Sequence, residues 1–168
     1  MLTCRHFIRK HSSMTKMNVE PGDHYEALML LLRTSEQAWN ASRVFFDRWD
    51  LSPSQFNVLN LLHGMPEGLN QSELSRQLIM HRSNATGLID RLEARKLLQR
   101  QPIPGDRRAH RVVLTKAGEK LIDSILPEYY VIAEAIWAEI PVARTQQLMG
   151  DLTLLSATIA KLEDELKK

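Results

Sequence analysis

The chain has 168 residues, 43% hydrophobic and 25% charged, with seven glycines and seven prolines, which fits one globular domain or one domain with an appended helical platform. No apolar run approaches the ~20 residues of a membrane span, and residues 1–23 lack the continuous apolar stretch of a signal peptide. A single cysteine, Cys4, excludes an internal disulfide and fits a reducing compartment, so a cytoplasmic protein with no membrane partner is expected. The net charge of +2 hides an asymmetry: residues 70–120 carry +6 and the remainder −4. A basic segment inside an acidic chain is either a polyanion-binding surface or a solvated charged face.

Residues 1–23 read as a disordered basic tail. From His24 to Trp49, apolar and small residues recur at three- and four-residue steps, including Leu28, Leu31, Leu32, Trp39, Phe46 and Trp49, which predicts a helix. Ser52, Pro53 and Gln55 have the spacing of a capping box with proline in the first position, opening a second helix that Gly64 and Pro66 end. Asn70 and Glu73 repeat that spacing ahead of a short third helix with Leu74 and Leu78 as its buried face. Ile79-Met80-His81 leaves room only for a tight turn before a fourth helix, from about Arg82 to Lys96, which buries Ala85, Leu88, Ile89 and Leu92. Two short helices so briefly connected form a helix-turn-helix.

The period then changes. Leu98–Ile103 and His110–Leu114 read as two strands, with Pro104-Gly105-Asp106 as the turn and Pro102 on an outward edge. Arg107 and Arg108 stand at the tip and Arg100 and Arg111 flank them, so the hairpin reads as a basic wing. Thr115 caps a long helix to about Ile140, with Pro127 inside it, where a kink is expected. In the last helix, from about Ala143, Leu148, Leu152, Leu155, Ile159, Leu162 and Leu166 follow one another at steps of 4, 3, 4, 3 and 4. Such a heptad seam wants a partner helix, and the small middle domain is too small to cover it as well as the other helical stripes.

The stretch Leu88-Ile89-Asp90-Arg91-Leu92-Glu93, the wing Asp106-Arg107-Arg108-Ala109-His110-Arg111-Val112-Val113-Leu114-Thr115 and the following Gly118 resemble the MarR (multiple antibiotic resistance regulator) family, over about Tyr25 to Leu166. One position departs: where the family has glycine after the recognition helix, this chain has Lys96. The resemblance implies a mainly α fold with a small β-hairpin wing, a winged helix-turn-helix on an all-helical dimerisation platform. On that plan residues 51–115 are the DNA-binding domain, and residues 24–50 and 116–168 the dimerisation region. It further implies a homodimer on a pseudo-palindromic operator in double-stranded DNA, acting as a repressor released by a small molecule.

A recognition helix reads base edges from its N-terminal turns, which here present Arg82, Ser83, Asn84, Thr86 and Gly87. Arg82 has the fork for guanine, and Asn84 the amide pair for adenine. Arg91 and Arg95 are either phosphate contacts or intradomain ion pairs. Asn70, Gln71 and Ser72 open a helix whose free amides suit a phosphate, and capping is compatible with that role. By resemblance Arg108 enters the minor groove, with Arg107 beside it on the backbone. Ligands of the family sit against the first, second and fifth helices, where Trp39, Arg43, Phe46, Trp49, Phe56 and His63 are the aromatic or cationic residues. Either they hold a small aromatic effector, or the aromatic ones are core and His63 caps a helix end.

No resident cofactor and no metal site are expected. A redox or metal sensor of the same fold would have to rely on Cys4, His6 and His11 in the tail. An architectural DNA-binding protein is a further alternative. No phosphate-cradling glycine loop, nucleophile elbow or paired carboxylates suggest an enzyme.

Overall fold

The computed structural model describes residues 21–78, 85–103 and 106–167, the side chains of 106–109 excepted. Packing divides the chain into two compact units, residues 27–130 and residues from 131 onward with those up to Glu26.

Helix α1 (Asp23–Phe46) enters the larger unit at Ala27 and ends in a single 3-10 turn, Asp47–Trp49, after which Asp50 takes a left-handed φ of 52°. Helix α2 (Pro53–His63) starts where its sequence demands. Ser52 Oγ accepts from Gln55 N at 3.2 Å, Gln55 Oε1 accepts from Ser52 N at 2.8 Å, and Pro53 fills the first position, where no N–H is required. Helix α3 (Gln71–Gln77) has the same device, with Asn70 and Glu73 exchanging two bonds of 2.9 Å. Leu78 turns extended and ends it. The expected turn Ile79-Met80-His81 and the start of the next helix, Arg82, Ser83 and Asn84, lie outside the described residues.

Helix α4 (Ala85–Ala94) buries the four residues its periodicity marks, Ala85, Leu88, Ile89 and Leu92. It stops two residues short of the expected Lys96, because Lys96 is left-handed, with φ 58°. Lys96 N donates to Glu93 O at 2.8 Å and Leu97 N to Leu92 O at 3.0 Å. That pair of bonds is a Schellman ending, in which glycine is the usual residue.

The expected two-stranded hairpin is a three-stranded antiparallel sheet of order β1-β3-β2, built from β1 (Leu69–Asn70), β2 (Leu98–Ile103) and β3 (Asp106–Leu114). Strand β1 pairs Leu69 with Val112 and Asn70 with Arg111. Two residues are too few to show alternation, so the pattern passes over it. Gly68 admits it: its φ is +73°, and any Cβ there would meet Val112 O at 2.5 Å. Strand β3 also begins at Asp106, not at His110, so Asp106 belongs to the ladder rather than to the turn. Pro102 faces His110 while Ile103 faces Asp106, which leaves residues 107–109 out of register as a bulge. Pro102 lies on edge strand β2, where its missing N–H costs no interior ladder bond.

Helix α5 (Lys116–Trp137) begins behind Thr115, whose Oγ1 accepts from Gly118 N at 3.1 Å and donates to Lys96 O at 2.7 Å. Gly118 is buried, and a Cβ there would stand 2.0 Å from Leu97 O. The helix continues through Pro127. Leu59, Leu74, Ile89, Leu92, Leu98, Val112, Ile122 and Ile125 form the centre of one core drawn from every helix and strand between α2 and α5.

In the smaller unit, α6 (Val142–Leu166) has no buried residue. Along its seam Leu148, Leu152, Leu155, Ile159 and Leu166 are exposed and Leu162 is half-buried. Among the described residues no helix is long and apolar enough to cross a membrane.

Candidate nucleic-acid interface

The two short helices are joined at their starts as well as through the core. Gln71 Nε2 donates to Thr86 Oγ1 at 2.6 Å, linking the first turn of α3 to the first turn of α4. Asn70 is occupied as a cap, its Oδ1 accepting from Glu73 N, while Ser72 is exposed. Of the expected contact residues, this end therefore brings together Asn70, Gln71, Ser72, Thr86 and the half-buried Gly87. Arg107 and Arg108 lie in the bulged stretch of β3, and their side chains are outside the described residues.

The basic residues of this region divide by partner. Arg100, at the root of the wing, donates to Asp90 Oδ1 at 2.6 Å and also bonds the Glu93 carboxylate. The Asp90 hydrogen bond, aided by the charge of Glu93, holds its guanidinium above the ordinary range. This pair of bonds fixes β2 to α4. Arg111 donates to Glu67 O at 3.2 Å. Arg95 takes the intradomain alternative: it donates to Asp50 O, and to Trp49 O at 3.2 Å, with the Asp50 carboxylate 3.6 Å away. Arg91 is exposed and has no partner among the described residues. Lys96 is exposed at the start of β2, at the opposite end of that strand from the wing tip.

Of the six residues expected around an effector, three border described recesses and others belong to the core. Phe46 and Phe56 are core, stacked at 4.1 Å between ring centroids with 21° between planes. Trp39 borders a shallow recess with Ser54, Asn57, Leu78 and Leu88. Arg43 lines a recess of about 250 Å³ beside Asp47, Asp50 and the start of α2. His63 borders another, of about 210 Å³, where its Nε2 lies 3.8 Å from Asp123 Oδ1. Trp49 packs on Phe45 at 5.0 Å. Phe46, Trp49 and Phe56 pack in one aromatic cluster with Phe45, and Tyr129 of α5 joins it at 4.9 Å from Phe56 and 5.4 Å from Phe46. Tyr129 was legible as the position seven residues after Ile122 on the same stripe. The contact of Arg48 with Glu128, at 2.6 Å, had no local signal.

Residues 49–109 match the model of the MarR family. Over 86 residues, half of this chain and 52% of the relative, the sequence is 35% identical to the HTH-type transcriptional regulator PecS of Dickeya dadantii. It is 40% identical over 58 residues, 34% of this chain and 37% of the relative, to the HTH-type transcriptional repressor NicR of Pseudomonas putida. The chain thus spans about half, or less, of the length of these curated relatives. The crystal structure of a Staphylococcus aureus MepR–DNA complex shares the fold, with a TM-score of 0.71 at 20% identity over 78% of this chain and 96% of that one. The segment 49–109, which holds the capped helices and the wing just described, is thus similar to the MarR family.

Proposed function

We propose that the protein is a sequence-specific DNA-binding transcriptional regulator, a repressor that binds a pseudo-palindromic operator as a homodimer. The observation that carries this reading is the joined start of α3 and α4 beside a basic, bulged wing, inside the family segment. Helix α4 lies in the major groove, with Arg82, Ser83, Asn84, Thr86 and Gly87 toward base edges. Asn70, Gln71 and Ser72 face the phosphate backbone with Arg91, while Arg108 enters the minor groove. The relatives named regulator and repressor, and the neighbour solved with DNA, support the same reading.

The exposed leucines of α6 support the homodimer, because a second copy of the same seam buries them. An interface above the ~1,600 Å² standard size is expected. A small aromatic effector that weakens operator binding completes the proposal.

Selection of DNA from a random pool, with and without a panel of phenolic acids, tests the reading. Enrichment of an inverted repeat supports it, and a pool that stays random overturns it. On the selected operator, Arg108→Ala is expected to weaken binding more on A/T-rich than on G/C-rich flanks, because a narrow groove attracts arginine. It also lowers the logarithmic salt slope by about 0.9 for each phosphate neutralised. Arg107→Ala costs less and shows no flank preference. Equal losses on both flanks, followed by fluorescence anisotropy, would leave only a basic hairpin.

A further inference from the structure

The turn between α1 and α2 is held from two sides by arginines, Arg95 and Arg48. Helix α1 ends in a 3-10 turn, and the carbonyls that follow a helix end have no intrahelical partner. Two of them, on Trp49 and Asp50, accept from the Arg95 guanidinium one residue beyond α4. A planar fork can serve two consecutive carbonyls at once, whereas an ammonium group is a point charge without that geometry. On the other side, Arg48 of the same turn lies 4.5 Å over the Trp49 ring and donates to Glu128 of α5 at 2.6 Å. Asp50, between the two arms, has the left-handed φ of 52°, a backbone state that persists only where its surroundings enforce it.

We propose that Arg95 is a positioning residue for α4: its fork fastens the recognition helix to the 47–50 turn, and Arg48 with Glu128 fastens the same turn to α5. The proposal rests on the reading of α4 as the recognition helix. The setting of α4 against the operator then answers to the setting of α5. Both arms are partly solvated, with Arg48 and Glu128 side chains 56% and 50% exposed, and exposed ion pairs contribute little to stability by themselves. Their effect is on geometry. A phosphate role for Arg95 is the competing account, and it makes opposite predictions.

The test uses Arg95→Lys, Arg95→Met and Arg48→Met in the full chain. Operator binding is followed by anisotropy over a salt series, and amide hydrogen exchange of residues 88–94 is followed without DNA. Arg95→Lys and Arg95→Met are both expected to lose about tenfold in operator affinity, the equivalent of one charged hydrogen bond, with the salt slope unchanged. Exchange in α4 quickens in both. It also quickens in Arg48→Met, by a smaller factor, although Arg48 does not touch α4. Wild-type binding by Arg95→Lys, or a slope about 0.9 lower in Arg95→Met, would make Arg95 a phosphate contact and overturn the proposal. Unchanged α4 exchange in Arg48→Met would remove the link to α5. A wild-type chain with no operator preference, whose α4 exchange still responds to all three substitutions, would count against the recognition helix and for the two-sided fastening.

Discussion

Leu59, Leu74, Ile89 and Leu92 have 0% of their surface exposed in the unit of residues 27–130, whereas Leu148, Leu152 and Leu155 on α6 have 37%, 37% and 38%. The residue type is nearly the same and the helical spacing is equally regular in both places. In the first unit, helices α2 to α5 and a small sheet surround a common centre, so each apolar stripe meets another. In the second, a helix of 25 residues has apolar positions on heptad spacing and no buried residue. Full burial of a leucine contributes ~1.5–3 kcal/mol, so a row of them left half in water is a large unrealised term. Periodicity says that a stripe exists, and only the surroundings say what covers it.

The largest effect expected is on that open seam. Leu155→Asp costs an isolated chain less than a core substitution, because the side chain is already 38% exposed, but it places two like charges in a dry seam if two copies pair. Loss of the dimer, or of folding, is expected in light scattering and thermal melts. A monomeric wild-type chain, or a variant that keeps its mass, would break the comparison from the side of α6.

Gly118→Ala probes the closed unit. Its Cβ would stand 2.0 Å from Leu97 O, a backbone atom that cannot swing away. Overpacking of this kind costs about 1–3 kcal/mol or somewhat more, and a lower urea midpoint with unchanged m is the expected readout. The same change at Gly150 on α6, which has nothing within 4 Å, is expected to be neutral or to stabilise slightly. Equal effects at the two glycines would remove the contrast between the units.

The smallest effect is a gain. Lys96 is left-handed, and glycine in that place relieves a strain of roughly 1 kcal/mol, so Lys96→Gly raises the urea midpoint. Lys96 lies at the root of the wing rather than its tip, so operator affinity is expected to stay as it is. A weaker operator complex would show that the lysine reaches a phosphate.

The residues that opened and closed the helices were legible one by one. Ser52 with Gln55 and Asn70 with Glu73 are local devices, made by groups three residues apart, so no tertiary information is required to see them. The buried face of α4 followed from its period, and Lys96, which stands where the family has glycine, is left-handed. The stretch Leu88–Glu93 and the wing motif pointed to the family for the same reason: each is contiguous in the chain.

What the chain could not reveal by itself is each choice between partners far apart in sequence. Strand β1 exists because Gly68 lets two residues reach Val112 and Arg111, more than forty positions away. Arg91 and Arg95 are alike as letters on one helix, yet Arg95 is drawn to two carbonyls that end another helix, and Arg91 is left exposed. Phe46 and Phe56 could be read from the sequence as pocket or core, and in the structure both are buried and packed against Tyr129. Capping, period and turn chemistry act over a few residues and are written where they act. A long side chain's partner is set by which elements the packing brings beside it, so only the tertiary structure decided that Arg95 bonds the carbonyls of Trp49 and Asp50 and that Phe46 stacks on Phe56.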